Sequence, residues 1–369
     1  MIHSAIERPP GPRELEISLF GSGIGECVVV HLGDGQWMIV DSCLSSDRTT
    51  SVATAYLKSL GVVIDEAVKL FVITHWHADH ISGAYDIIST CSNARVVLSG
   101  AWRSKEFAKL ITASLTPKLV TRRSAGQEIQ AVFDVLKARG QSLGEPDHWA
   151  QDGMGLFNAG GVTVTALSPS SETVTAAAMK LAKLLPKDGD TPLRVPTVKE
   201  NDQSIVLQID SEPFSTLLGG DLEVSTSKRR GWEAVIASAV RPQSKSSAFK
   251  VSHHGSGNGD TDRIWTELLH ANPVALVSPY IAGRKRLPSS EDVERLVGRP
   301  SELYCTVWPL DRKPSRRNSS VDRTIREMVL SHRSIASIPG HVRLRISVEG
   351  AVSPVVELFE GARRLNAAS

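Results

Sequence analysis

The segment that most narrows what this chain can fold into is Thr74-His75-Trp76-His77-Ala78-Asp79-His80, which completes and follows the apolar run AVKLFVIT at 67–74. A run of that length and apolarity reads as a buried strand, so the chain presents an H-x-H-x-D-H cluster at a strand end. Only 11 of the 369 residues are histidine, and three of them packed beside an aspartate point to a metal site rather than a solvated turn. In extended backbone, residues i and i+2 point the same way, so His75 and His77 can grip one metal. Asp79 and His80 turn toward a neighbouring position about 3.5–4 Å away, the spacing of two-metal centres. Imidazole and carboxylate donors suit Zn²⁺, with Mn²⁺ the alternative where oxygen donors are more numerous.

The remainder of the chain is able to build a core around such a site. With 41% hydrophobic and 22% charged residues, the composition excludes a disordered chain, a collagen-like repeat and a disulfide-stapled miniprotein. A chain of 369 residues needs no metal merely to fold, which reserves any metal for chemistry. The net charge of +2 does not by itself predict a polyanionic partner. Cys27, Cys43, Cys91 and Cys305 lie far apart without a C-x-x-C, as reduced, buried thiols do in a cytoplasm. The N-terminal residues lack an apolar signal core and no stretch of about 18 apolar residues occurs, so the expectation is a cytoplasmic protein with no membrane association.

Residues 14–42 read as three strands separated by glycine turns, residues 49–60 as a helix, and 95–99 as a strand after a helix near 81–90. Two helical patterns within 103–140 read as an insertion. The β pattern resumes at GVTVTALSP, a helix and loop lie between Pro169 and Pro196, and strands at 204–210 and 214–219 form a hairpin ending in Gly219-Gly220-Asp221. AFKVS (248–252) leads into His253-His254-Gly255-Ser256, and VALVSP (274–279) leads into a basic loop. Three successive strands thus deliver polar groups at their C-terminal ends. Residues 309–338 read as a basic insertion before closing strands at 341–348 and 355–359, and the whole chain 1–369 as one domain.

These motifs, taken in order, resemble the metallo-β-lactamase superfamily. Asp41 closes WMIVDS, H-x-H-x-D-H is the signature, Asp221 lies in LLGGD and the late histidine in VSHHGS. Finer features, Asn201-Asp202-Gln203-Ser204, Leu217-Leu218-Gly219-Gly220-Asp221 and Phe249-Lys250-Val251-Ser252-His253-His254-Gly255-Ser256, resemble the β-lactamase-like domain of ComEC-type DNA-uptake proteins. The resemblance implies an α/β fold, a four-layer αββα sandwich with a helical insertion. It implies two Zn²⁺ per chain: His75 and His77 on the first, Asp79, His80 and His253 on the second, and Asp221 bridging them. His254 is then free for substrate or proton transfer, and Asp41 orients a ligand imidazole.

Two departures from the family pattern stand out. Superfamily hydrolases usually place a third histidine before the hairpin, where this chain has Asn201 and Asp202; an oxygen from either would complete a weak first site, and His148 is a more distant candidate. ComEC-type domains read more like N-R-y-g-H-P where this chain has Gly283-Arg284-Lys285-Arg286-Leu287-Pro288, so a histidine is replaced by Leu287.

The implied function is a metal-dependent hydrolase in which a hydroxide bridging two ions attacks the substrate. Asp79, Asp221 and His254 form its catalytic group, and a phosphodiesterase or nuclease acting on DNA or RNA is the leading reading. Ser256, Arg284, Lys285 and Arg286 would contact substrate phosphates. Further basic clusters lie at Lys228-Arg229-Arg230 and in 312–317; Trp102, and Trp76 if it does not instead pack against the metal loop, are candidates to stack on a base. Likeness to stand-alone relatives extends the expectation to bacterial anti-phage defence beside an ATPase or other operon-encoded partner. The alternatives are an ester, lactone, peptide or cyclic-nucleotide hydrolase built on the same core, and a metal-binding module without turnover.

Overall fold

The computed structural model describes residues 8–46, 48–103, 124–141, 145–184, 201–282, 285–308, 339–347 and 354–366. Its first half runs β1 (Glu14–Gly21), β2 (Glu26–His31), β3 (Trp37–Val40), α1 (Val52–Ser59), β4 (Val68–Ile73), α2 (Ala84–Thr90), β5 (Arg95–Ser99), α3 (Ala125–Ala138) and β6 (Trp149–Ala150). The chain continues through β7 (Met154–Ala159), β8 (Val162–Ala166), α4 (Ser171–Leu184), β9 (Leu207–Ser211), β10 (Phe214–Leu218), α5 (Gly231–Ala237) and β11 (Ser246–Lys250). After β12 (Leu269–Val277), a hairpin of β13 (Tyr280–Ala282) and β14 (Lys285–Leu287) precedes α6 (Ser290–Val297), β15 (Glu302–Cys305), β16 (Gly340–Ser347), β17 (Val355–Phe359) and β18 (Arg363–Arg364).

Two eight-stranded sheets result, in the orders β17-β16-β1-β2-β3-β4-β5-β6 and β18-β15-β12-β11-β10-β9-β8-β7. Period-two alternation explains how they stack. Leu15, Ile17 and Leu19 of β1 enter the layer between the sheets, where they meet Val164, Leu207, Ile209 and Ala248 of the other sheet. Phe20, Val29, Ile39 and Phe71 on the opposite face of the first sheet pack against Tyr56 and Leu57 of α1, Ile87 of α2 and Val132 of α3. Leu217, Phe249, Ala275 and Leu303 on the outer face of the second sheet pack against Trp232 and Val235 of α5 and Leu296 of α6. The order is therefore helix, sheet, sheet, helix: the four-layer αββα sandwich.

β3, β4 and β5 are parallel neighbours, as are β10, β11 and β12. Parallel strands buried on both faces read as continuous apolar runs, which is why FVI, TLL and ALV are legible as strands. Their C-terminal ends open at the same end of the sandwich, and that end carries the polar cluster. α3 matches the second helical pattern of the expected insertion; the first, and the basic stretch 309–338, lie outside the described residues. Among the described residues no helix is long and apolar enough to cross a membrane.

Candidate metal centre

β4 ends at Ile73, and the next residue builds the site's foundation. Asp41, which follows β3, is held in the left-handed region at φ 60°, a conformation costly for a residue with a side chain. It is 3% exposed. Its Oδ1 accepts the Thr74 N–H at 2.7 Å and its Oδ2 accepts the Thr74 hydroxyl at 2.7 Å. The same Oδ2 accepts from His80 Nδ1 at 2.8 Å. Because the Thr74 hydroxyl spends its proton on Asp41, it accepts from His75 Nδ1, 3.0 Å away. One carboxylate thus fixes two imidazoles, His80 directly and His75 through Thr74, and leaves the Nε2 of each to face inward. Asp41→Asn is expected to weaken metal binding roughly 10–100-fold in competition with a chelating dye; an unchanged affinity would show that the hydrogen bonds to His80 and Thr74 do not orient the ligands.

The second sheet supplies the other half. Gly219 and Gly220 have no room for a side chain: a Cβ on Gly219 would stand 2.9 Å from the Lys250 carbonyl, and one on Gly220 2.5 Å from Ser204 Oγ. Asp221 N–H donates to Ser204 Oγ at 3.0 Å, so the Asn201-to-Ser204 turn anchors the loop that presents Asp221. After β11, His253 and His254 both adopt left-handed backbone, at φ 46° and 52°, and their side chains part company.

His254, rather than His253, points its ring into the cluster. Its Nε2 lies 3.2 Å from Asp79 Oδ2, 3.4 Å from His80 Nε2 and 3.5 Å from Asp221 Oδ2, while its Nδ1 donates to the Ser278 carbonyl at 2.9 Å. His253 instead donates from Nδ1 to Asn258 Oδ1 at 2.8 Å, and its Nε2 accepts from Asn201 Nδ2 at 3.2 Å. The resemblance assigned the late ligand to His253 and left His254 for substrate or proton transfer; it is the His254 ring that lies beside Asp79, His80 and Asp221. At the first position, His75 Nε2 faces His77 Nδ1 at 3.2 Å and Asp221 Oδ2 at 3.8 Å. Asp221 Oδ2 is also 3.4 Å from His80 Nε2, which places this carboxylate between the two histidine pairs.

The donor set fits metal. His80 and His254 both commit Nδ1–H to an acceptor, so their Nε2 lone pairs confront one another unless a proton or a cation lies between them. Asp221 Oδ1 is buried with no hydrogen-bond partner among the described residues, a lone pair left for a cation. Titration follows the same pattern. Burial, and then the charge of His80, hold His75 well below the usual imidazole range, and burial lowers His77. Burial works against charge on His254, but Asp221 and Glu26 raise it to about 10. His80 is likewise raised against its burial by Asp221, Asp79 and Asp41. Asp79, despite burial, is held low by His80 and His254. The carboxylates thus favour protons on His80 and His254, and burial favours neutral imidazole at His75 and His77.

Asn201 is buried, its Nδ2 donating to Glu223 Oε1 at 2.9 Å and its Oδ1 without a partner, the property an oxygen donor needs. Asp202 sits half-buried on the same turn. His148 is buried with Nδ1 against the Val96 carbonyl at 2.7 Å, away from the cluster. Trp102 is 1% exposed and donates to Gln203 Oε1 at 3.0 Å, and Trp76 is buried in the core facing the helices; neither presents a face to a base.

Tyr280, which the sequence reading passed over, does stand at the mouth. Its ring is 5.4 Å from that of His254, and Lys285 Nζ lies 5.6 Å from its centroid. Burial and the Asp79 charge raise its hydroxyl pKa. The expected basic loop is thus in part a hairpin, pairing Tyr280 with Leu287 and Ala282 with Lys285. Arg286 lies on β14 and Arg284 outside the described residues. Ser256 is half-buried on the turn after His254. Of the Lys228-Arg229-Arg230 cluster, Arg230 pairs with Glu172 of α4 at 2.9 Å. A cavity beside Asp79 is lined by Ser22, Ser45, Arg48 and Ser82.

Residues 21–166 match the family described as the metallo-beta-lactamase superfamily. Among solved structures, the chain is similar to a metallo-beta-lactamase with a HARLDQ motif from Cronobacter sakazakii, at 14% identity over 60% of this chain and 66% of that one, TM-score 0.31. It is similar also to the metallo-beta-lactamase fold protein YhfI from Bacillus subtilis, at 10% identity over 64% and 70% of the two chains, TM-score 0.30. Zn²⁺-bound PqqB from Methylobacterium extorquens aligns at 10% identity over 75% and 74%, TM-score 0.30. A motif mutant of the Cronobacter protein is spanned over 60% of its length. No curated protein matches the chain by sequence.

Proposed function

We propose, from the match of residues 21–166 to the metallo-beta-lactamase superfamily and from the histidine and aspartate cluster described above, that the chain is a metal-dependent hydrolase of phosphodiesters, acting on nucleic acid. His75, His77 and Asp221 would hold one divalent ion, and Asp79, His80, His254 and Asp221 the other. Zn²⁺ suits this set, with Mn²⁺ the alternative. Two such ions lower the pKa of a water and polarise the phosphoryl oxygens, chemistry that needs no serine or cysteine nucleophile. The protein's part is to hold the imidazoles through Asp41 and the Ser278 carbonyl, and to place donors around the substrate.

The observation that favours a phosphodiester over a carbonyl substrate is the Lys285 ammonium standing 5.6 Å from the Tyr280 ring, itself beside His254. A cation that reaches the cluster through the Tyr280 ring beside His254 is suited to a phosphate flanking the scissile bond rather than to the scissile group itself, and the Tyr280 hydroxyl can donate to one of its oxygens. The resemblance to ComEC-type domains, associated with DNA strand degradation, supports the same substrate class. Lys285→Ala is expected to weaken binding of a labelled single-stranded oligonucleotide and to reduce the slope of log affinity against log salt by about 1. An unchanged slope, together with turnover of a simple ester, would move the assignment to the carbonyl hydrolases.

A further inference from the structure

The residues of the centre come from two different sheets. His75, His77, Asp79 and His80 follow β4 of the first sheet, whereas Asp221 and His254 follow β10 and β11 of the second. The distances between donors therefore depend on how far apart the sheets stand at this end of the sandwich. Across that gap lies an ion pair that metal binding does not itself require. Lys250, the last residue of β11, and Glu26, the first of β2, are each 2% exposed and paired Nζ to Oε1.

The pair touches both halves of the centre. Lys250 Nζ donates to the carbonyl of Gly220 at 3.0 Å, immediately before Asp221. The Glu26 carboxylate lies 3.4 Å from His254 Nδ1 and 3.8 Å from His80 Nδ1, one histidine from each sheet. Burying an ammonium and a carboxylate costs desolvation that apolar residues of the same size would avoid, so stability alone is a poor reason for the pair. Without its partner, moreover, Glu26 could compete for the metal: donor atoms of Glu26, His80, Asp221 and His254 lie within 4.8 Å of one another.

We propose that the Lys250–Glu26 pair is a positioning staple that sets the spacing of the two sheets beneath the centre and keeps Glu26 off the second metal position. The proposal rests on the metal reading of the cluster but not on any substrate. Lys250 is a positioning residue, acting through Gly220 and Glu26 on Asp221, His80 and His254.

Co²⁺ titration of the full chain tests it, because visible absorption reports the ligand field independently of turnover. Wild-type protein is expected to take up two Co²⁺. Lys250→Met should lower affinity at the second position at least tenfold and alter the absorption bands; the melting temperature in chelator also falls, because the Glu26 carboxylate is left buried without its partner, so the titration is read at a temperature where the variant is folded. The double variant Lys250→Met with Glu26→Gln removes the competing carboxylate and should recover part of that affinity. Should Lys250→Met fail to fold, Glu26→Ala decides, with the same tenfold loss expected. Two Co²⁺ bound with wild-type affinity and spectrum in Lys250→Met, or in Glu26→Ala if that variant decides, overturns the staple while leaving the metal reading intact. A wild-type chain that binds no Co²⁺ overturns both.

Discussion

Alanine at His254 is expected to remove the metal of the second position and to lower turnover by at least about a hundredfold, since a direct ligand matters more than the groups that orient it. Alanine at His253 should keep that metal. The contrast follows from what each ring touches. His254 Nε2 converges with Asp79 Oδ2 and His80 Nε2 at 3.2 and 3.4 Å, and its tautomer is fixed by the Ser278 carbonyl. Both nitrogens of His253 are already engaged by amide groups, from Asn258 and Asn201. Metal analysis of the two purified variants decides the matter. If His253→Ala loses the second metal and His254→Ala retains it, the geometry described for the late histidines is wrong.

The second large effect is expected at Asp221. Its carboxylate is 2% exposed, lies 3.8 Å from His75 Nε2 and 3.4 Å from His80 Nε2, and has one oxygen without a partner. Being within reach of both histidine pairs, it should matter to both metals. Asp221→Ala should therefore lose both ions at concentrations that saturate the wild type, where His254→Ala loses one. It also strips a negative charge that raises His80 and His254, so the metal-free variant should hold fewer protons at these rings near neutral pH. Calorimetric titration with Zn²⁺ reads the stoichiometry directly. One ion retained at full affinity would show that Asp221 serves a single position.

Much of this arrangement was legible before any coordinates. The apolar runs ending at Ile73, Leu218 and Lys250 announced buried strands, and the motifs at their ends marked where donors gather. The adjacent histidines could not be told apart, because the left-handed φ of both residues decides which ring faces the cluster, and nothing local in HHG distinguishes them. Short elements were also missed. α6 carries a capping box, with Ser289 accepting from the Asp292 N–H and Asp292 accepting from the Ser289 N–H, a signal present in S-S-E-D but overshadowed by the basic residues before it. Tyr280 was missed because a lone tyrosine after VSP looks ordinary; only the hairpin brings it beside His254. Lys250 had a signal, a lysine buried at the end of a central strand, whose meaning depends on Glu26, more than two hundred positions earlier.

The helical coverage of the outer faces was less legible than the strands. α5 is only seven residues, GWEAVIA, too short for a periodicity to emerge, yet its Trp232 is wholly buried and donates to the Leu222 carbonyl at 2.8 Å. Trp102, read as a base-stacking candidate, is instead tied to Gln203 in the interior. An aromatic beside a motif is as useful for packing as for binding, and burial distinguishes the two.

The most direct test of the proposed function is to measure metal content and hydrolysis of a chromogenic phosphodiester on the same preparation, supplied with Zn²⁺ or Mn²⁺, beside an Asp79→Ala variant. A metal-dependent phosphodiesterase should show two ions per chain and turnover that disappears with chelator and in the variant. Turnover that survives both, or a chain loaded with two ions that cleaves a carboxylic ester and leaves the phosphodiester untouched, would contradict it.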